Sequence, residues 1–468
     1  MRMMNLSEAA TLLKARLIGA EAAAKVDFGA VCTDSRSIAA GDLFVALRGD
    51  NLDGHEFIAQ VQSAGAAAAV VAAEVVADEA SPLARLGLPL IVVPDTRLAL
   101  GELAAGWRAR FTLPLIAVTG SNGKTTTKEM IASILAAAYG DEVLATQGNF
   151  NNDIGLPLTL LKLRAHHRAA IIEMGMNHPG EIAYLTRLAR PTVALVTNAQ
   201  RAHLLGMGSL DAIAREKGTV YTGLGSDGVA VVNADDAHAA LWRSMNAGRR
   251  VVSFGLAPGA DVHGKVRLHG LETELHFVTP VGEGAVDLAL PGLHNARNAL
   301  AAVAAAVAAE IPLTAINVGL AAFRGIKGRL QRRTGVSGAV ILDDTYNANP
   351  DSMRAGIDVL ASTIGRKVMV LGDMGEIGDA SGQFHDEIGG YAKSAGIDAL
   401  FALGEASAVA ARNFGVGGQH FKKIDELIEA LRPELTANTT VLVKGSRFMR
   451  MERVVDAIAV PLPAKEGK

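Results

Sequence analysis

The sequence holds a single cysteine, Cys32, in 468 residues. An internal disulfide is therefore excluded, and the sparing use of thiols suits a reducing compartment. Neither charge dominates: the net charge is −3 and the isoelectric point is near 6.5. That balance gives no reason to expect nucleic acid or an anionic membrane as a partner. The N-terminus lacks the basic-then-apolar pattern of a secretory leader. The longest apolar runs, residues 66–73 and 299–309, are too short to span a bilayer. Aromatic residues make up only 4% of the chain, although half of it is hydrophobic. A large core is affordable, but much of it must be alanine. The expectation is a cytoplasmic protein of about three domains.

What is present centres on Leu115-Ile-Ala-Val-Thr-Gly-Ser-Asn-Gly-Lys-Thr-Thr-Thr-Lys128. The apolar run from Leu115 predicts a buried parallel strand. Thr119, Gly120, Ser121, Asn122 and Gly123 form a loop. From Lys124 onward the apolar positions recur at helical spacing. Strand, glycine loop and helix together hold a phosphate, because loop amides and the helix N-terminus direct donors at the anion. Lys124 then reaches the β- and γ-phosphates, and the Thr125 hydroxyl is a ligand for Mg²⁺, with Thr126 beside it. The motif departs from the general P-loop, which would place a glycine at Val118. Here two residues, not four, separate Gly120 from Gly123.

Strands and helices alternate from about Leu113 to Ile311, which predicts a doubly wound, mostly parallel sheet. Ligands bind such sheets at the carboxyl ends of the strands. One strand ends at Glu173, a natural ligand or orienter for Mg²⁺ near the P-loop. Another ends at Asn198, with His203 in the loop that follows. A lone loop histidine is more often satisfied by backbone, but beside a P-loop these residues read together as a metal and phosphate site. The segment Asn149 to Pro157, including Asn151, is dense in amides and breakers and reads as a loop able to close over substrate. Lys217 lies on a helix, where a lysine is ordinarily a solvated charge. Residues 261–290 alternate with period two, as antiparallel strands do.

The first 110 residues read as a small α/β unit opening on a helix from Leu6 to Leu17, with Ser7 as its cap. Thr33, Asp34, Ser35 and Arg36 follow a strand, and Asp42 and Phe44 stand at the next one. Small hydroxyls beside an arginine suit an anionic ligand, and equally an ordinary polar turn. From about Pro312 a third unit begins. Its strands end in Asp343-Asp-Thr-Tyr-Asn-Ala-Asn-Pro350, in Gly372-Asp-Met-Gly-Glu376, in Gly404 and in Lys444-Gly-Ser-Arg447. Tyr346 is suited to stack on a purine, and tyrosine is also common at strand ends. The tail after Pro461 reads as lacking fixed structure.

Taken together, these motifs resemble the Mur ligase family of peptidoglycan synthesis. The resemblance rests on Thr119 to Thr126, Glu173, His203, Lys217, Asn295 with Asn298, Arg329, and Asp343 to Pro350. It implies a UDP-sugar-binding domain over residues 1–110, a central ATPase domain over 111–312, and a closing C-terminal domain over 313–468. It implies ATP and Mg²⁺ as cofactors. Thr125 and Glu173 would ligate one Mg²⁺, His203 would belong to a second site, and Lys217 matches a lysine that the family carbamylates. Asn295, Asn298, Arg329, Asp343 and Tyr346 would contact the nucleotide. Thr33, Asp34, Ser35, Arg36, Asp42, Phe44, Asn151, Lys444 and Ser446 would contact substrate. Segments Asp344 to Met353 and Leu371 to Gly378 are most similar to members joining D-alanyl-D-alanine to UDP-N-acetylmuramoyl-tripeptide, as a cytoplasmic monomer. The readings beside it are another Mur-type or folylpolyglutamate-type ligase, or a P-loop regulatory NTPase or kinase.

Overall fold

The computed structural model describes residues 2–19, 25–76 and 81–461. The tail after Pro461 lies outside them, apart from that proline itself. Three main sheets follow one another along the chain. The first has five strands, in the order Arg16–Ile18, Leu90–Val93, Ala68–Ala72, Leu43–Val45, Val31–Cys32. All of its neighbours are parallel except the first pair. The opening helix is shorter than its apolar pattern predicts. It runs Leu6–Leu12, capped by Asn5 rather than Ser7, with Glu8 closing a capping box. Residues 16–18 leave it to pair with Leu90–Val93 as a strand.

The central sheet has nine strands. Seven are parallel, from Val143–Ala145 at one edge through Ala169–Glu173, Leu115–Thr119, Val193–Val196, Val229–Asn233 and Arg250–Gly255 to Val262–His269. Glu272–Thr279 and Gly282–Leu288 extend it antiparallel, as their period-two pattern predicts. Alternate residues of the P-loop strand feed different cores. Leu115 and Ala117 pack on one face, Ile116 and Val118 on the other. This is the signature of a sheet covered by helices on both sides.

Leu115–Thr119 is flanked by Ala169–Glu173 and Val193–Val196, so the order of strands reverses beside it. A crevice opens at such a switch point. The ends of three strands meet there, and Ser121, Glu173 and Asn198 line one cleft. The helix Leu293–Ala308 is buried on almost every side, mostly through alanine. Small side chains let it lie close against the sheet, which is how a chain poor in aromatics still fills its core. The next helix, Leu313–Ala322, also packs on the central unit. A Cβ at Gly319 would lie 2.3 Å from the Ile134 Cα of the P-loop helix.

The third sheet has six strands: Gln331–Thr334, Val340–Asp344, Thr439–Lys444, Arg366–Gly372, Ala399–Leu403 and Gly418–Phe421. The first pairs antiparallel and the rest run parallel. Its two faces carry separate hydrophobic clusters. No helix among the described residues is long and apolar enough to cross a membrane.

Candidate nucleotide and acyl-transfer site

The sheet edges of the second and third units face each other across a cleft of about 820 Å³. The P-loop helix Lys124–Tyr139 starts at Gly123, whose φ of +81° only glycine adopts freely. A Cβ there would stand 2.2 Å from Asn298 Oδ1. Gly120, at φ +148°, would bring a Cβ to 1.8 Å from Thr197 Oγ1. Both glycines are therefore required by close neighbours, independently of any ligand. The loop is further tied to Asn198, whose Oδ1 accepts the Asn122 N–H at 2.9 Å.

The Lys124 ammonium donates to the carbonyls of Gly120 at 2.7 Å and Ser121 at 3.2 Å. Burial pushes its pKa below the usual lysine value, against the attraction of Glu173. Glu173 is 2% exposed at the end of its strand. One carboxylate oxygen accepts the Asn151 amide N–H at 2.7 Å. The other, Oε2, is buried and has no hydrogen-bond partner. A buried, unsatisfied anionic oxygen is costly unless something positive meets it. Thr125, the second residue of the helix, lines the same cleft as Glu173.

Arg329 reaches across from the third unit. Its guanidinium donates to Thr125 Oγ1 at 2.9 Å and lies 4.1 Å from the centre of the Tyr346 ring. Asn295 and Asn298, one turn apart on their helix, are linked by a 3.2 Å hydrogen bond and line the same end of the cleft. Ser121, Thr126, His203 and Lys444 line it as well.

Several residues are not where the sequence suggests. Asp343 points away from the cleft, buried and bonded to Thr345. Burial raises its carboxyl above the ordinary range. Successive strand residues face opposite ways, so Asp344 lines the cleft instead. Lys444 is present but engaged, with its ammonium 2.6 Å from Asp344 Oδ2. Ser446 is a brace: its hydroxyl accepts the Gly375 N–H and donates to the Ala348 carbonyl. Thr119 is buried and donates to the Met174 carbonyl, tying two strand ends together.

Phe44 is 1% exposed within the core of the first sheet, so its ring cannot face a ligand. Thr33, Asp34, Ser35, Arg36 and Asp42 lie outside the cleft in the first unit. There Arg36 holds the Asp34 carboxyl down at about 2 through their side-chain hydrogen bonds. Lys217 is not a solvated helix charge. It is 1% exposed, has no ion pair among the described residues, and does not reach the cleft surface. Burial, helped by the charge of Lys124, pushes its pKa well below the usual lysine value.

Contacts that the sequence reading did not anticipate hold the third unit over the second. Arg201 makes ion pairs with Asp351 at 2.7 Å and Glu387 at 2.9 Å. Asn349, the cap of helix Pro350–Ala361, exchanges amide hydrogen bonds with Asn122 of the P-loop, the stronger at 2.8 Å. His203 Nδ1 lies 2.9 Å from Glu376 Oε2. That contact and the neighbouring Lys124 charge hold the Glu376 carboxyl below its ordinary range.

No group of three or more His, Cys, Asp or Glu side chains suited to a metal occurs among the described residues. Mg²⁺ commonly needs only one or two carboxylates, taking its other ligands from phosphates and water. Thr125 and the free oxygen of Glu173 fit that requirement.

Comparison with known proteins matches the chain along most of its length. Family models match at residues 27–108 (Mur ligase family, catalytic domain), 118–306 (Mur ligase middle domain) and 328–447 (Mur ligase, glutamate ligase domain). The UDP-N-acetylmuramoyl-tripeptide–D-alanyl-D-alanine ligase of Escherichia coli is 42% identical over 97% of this chain and 98% of its own. That of Bacillus subtilis is 35% identical over 92% and 93%. A crystal structure of MurF from Acinetobacter baumannii superposes with a TM-score of 0.88 at 36% identity, covering 97% and 98% of the two chains. MurF ligase from Thermotoga maritima in complex with ADP gives a TM-score of 0.79 at 26% identity, covering 92% and 96%.

Proposed function

The chain belongs to the Mur ligase family, and from that premise we propose how its residues carry out the reaction. It is an ATP-dependent ligase joining D-alanyl-D-alanine to UDP-N-acetylmuramoyl-tripeptide, releasing ADP and phosphate, in the synthesis of peptidoglycan precursor. The observation that carries the mechanism is the placement of Lys124 and of Glu173, with its unpartnered oxygen, in one cleft under a roof supplied by the third unit.

A carboxylate does not condense with an amine in water, because its oxygen is a poor leaving group. The γ-phosphoryl of ATP therefore passes to the terminal carboxylate of the tripeptide, giving an acyl phosphate. The P-loop amides and the helix N-terminus cradle the phosphates, and Lys124 neutralises the charge in transfer. Tyr346, Asn295 and Asn298 bind the nucleoside, and Arg329 spans the nucleoside and phosphate ends. Thr125 and Glu173 would hold Mg²⁺, His203 would contribute to a second site, and Lys217, which does not itself reach the cleft surface, would take part only as a carbamate. When bound, these cations supply charge neutralisation at the phosphates.

The amine of D-alanyl-D-alanine, having given up its ammonium proton to solvent, then attacks the acyl carbon: a C–N bond forms, phosphate leaves with the C–O electron pair, and the proton shed by the nitrogen goes to that phosphate. Arg201 with Asp351 and Glu387, and Asn349 with Asn122, keep the third unit closed. Closure excludes the water that would hydrolyse the acyl phosphate. The first unit, residues 1–110, holds the UDP-sugar through Thr33, Asp34, Ser35, Arg36 and Asp42. We set the seam between the second and third units after Ala322, because helix Leu313–Ala322 packs on the P-loop helix. The protein works as a cytoplasmic monomer.

The test is ADP release measured with each substrate withheld in turn. Sustained turnover is expected only when ATP, the UDP-tripeptide and D-alanyl-D-alanine are all present. Equal turnover with ATP alone would favour a regulatory NTPase. Turnover with glutamate and a folate in place of these substrates would favour a folylpolyglutamate ligase.

A further inference from the structure

Most carboxylates lining the cleft are already satisfied. Asp153 is paired with Arg97, Asp344 with Lys444, and Asp351 with Arg201. Glu181 accepts the backbone N–H groups of Asn177 and His178. Asp236 accepts those of Ala199 and His238, and Asp235 accepts that of Leu256 while lying 3.6 Å from Arg297. Two remain. Glu173 is buried, and its free oxygen suits the cation beside the P-loop.

Glu376 is the other. Its side chain lines the cleft, is 59% exposed, and makes its one polar contact among the described residues with His203, through one of its two oxygens. The loop that carries it is held from several directions. Met374 N–H donates to His385 Nε2 at 3.0 Å, Gly375 N–H to Ser446 Oγ at 2.8 Å, and Leu205 N–H to the Glu376 carbonyl at 3.4 Å. Glu376 itself sits at φ +60°, a conformation a non-glycine residue keeps only when its surroundings enforce it. The carboxylate is thus fixed in place, yet one of its oxygens has no partner.

The incoming dipeptide arrives largely as a cation, since an α-amino group titrates at about 7.7–8.0. It must approach a cleft where Lys124 and Arg329 present positive charge. A carboxylate with a free oxygen suits that group; Glu173 is committed to the phosphate end, Asp235 is paired with Arg297, and Glu181 already accepts two backbone N–H groups. We propose that Glu376 binds the ammonium group of D-alanyl-D-alanine, placing the amine beside the acyl phosphate. Because Glu376 belongs to the third unit, closure brings the amine to the acyl carbon. This assignment rests on the ligase reading above and adds to it the residue that receives the nucleophile.

Glu376→Gln removes the charge and keeps an oxygen able to accept from His203. Losing the anionic half of such a pair should raise KM for D-alanyl-D-alanine by about 10- to 100-fold. KM for ATP and for the UDP-tripeptide should change by less than about threefold, and Glu376→Asp should restore part of the dipeptide affinity. The decisive comparison uses hydroxylamine, a small uncharged amine that traps acyl phosphates as hydroxamates and needs no anionic anchor. The Glu376→Gln variant should form hydroxamate at a rate within about threefold of the unaltered protein while its dipeptide ligation is impaired. A parallel loss of both activities would overturn the proposal, because Glu376 would then serve closure or the phosphate site. An unchanged dipeptide KM would overturn it too. Absence of hydroxamate from the unaltered protein would count against the acyl phosphate itself, and the dipeptide KM, read from ADP release, would still decide the role of Glu376.

Discussion

Replacing Lys124 with alanine should reduce kcat for ADP release by at least about a thousandfold. Loss of one hydrogen-bond donor to a developing oxyanion costs about 10²- to 10³-fold in enzymes of known mechanism. Lys124 supplies donors and, beside phosphates whose charge offsets the effect of burial, a positive charge as well. The fold should survive. The side chain bonds only to carbonyls of its own loop, and burial already disfavours its charge. Glycines 120 and 123 hold the loop through Thr197 and Asn298, which the substitution does not touch. Cooperative thermal unfolding of the variant within a few degrees of the unaltered protein would establish that the fold is kept. ADP release near the original rate in such a folded variant would contradict the assignment of the phosphate site.

Lys217→Ala should lose most activity, by about a hundredfold or more on the scale of a lost electrostatic contact in an active site. Acetate or formate should restore part of it. Lys217 is enclosed, without an ion pair among the described residues and repelled by Lys124, so its neutral amine is more accessible than that of a solvent-exposed lysine. A neutral amine adds CO₂, and the resulting carbamate is an anionic oxygen ligand suited to a hard cation. The opposite reading keeps Lys217 as a cation directed at phosphate. A small carboxylate occupies an anionic vacancy and a small amine a cationic one, so the two readings separate under rescue. Restoration by methylamine, with none by acetate, would show that the side chain acts as a cation.

The parts of this structure that were legible in the sequence are those governed by local rules. The P-loop strand, its glycines and its helix follow from a few adjacent residues, and the Ala169–Glu173 strand ends where its apolar run ends. The antiparallel extension was legible from its alternation. Edge strands were not: Gln331–Thr334 is polar throughout and half exposed, and no apolar pattern marks it. At the first helix, the Asn5 capping box competed with a similar signal at Ser7, and tertiary pairing drew residues 16–18 into a sheet. Asp343 and Asp344 differ by one residue and face opposite ways, so a motif alone does not choose between them. Burial of Lys217 depends on what packs around its helix, which its local sequence does not reveal. The contacts that close the cleft join residues far apart in the chain, such as Arg201 with Asp351 and Asn122 with Asn349. Nothing local marks which residues pair with which.

The central claim is that amide formation in this cleft proceeds through phosphorylation of the tripeptide carboxylate. It is tested most directly by labelling that carboxylate with ¹⁸O and analysing the phosphate released during ligation by mass spectrometry. Transfer of the γ-phosphoryl to a carboxylate oxygen, followed by attack of the amine at carbon, leaves one labelled oxygen in each phosphate. That is the expected result, with the other label retained in the new amide carbonyl. Unlabelled phosphate accompanying normal amide formation would contradict the account, because the carboxylate oxygen would never have been bonded to phosphorus.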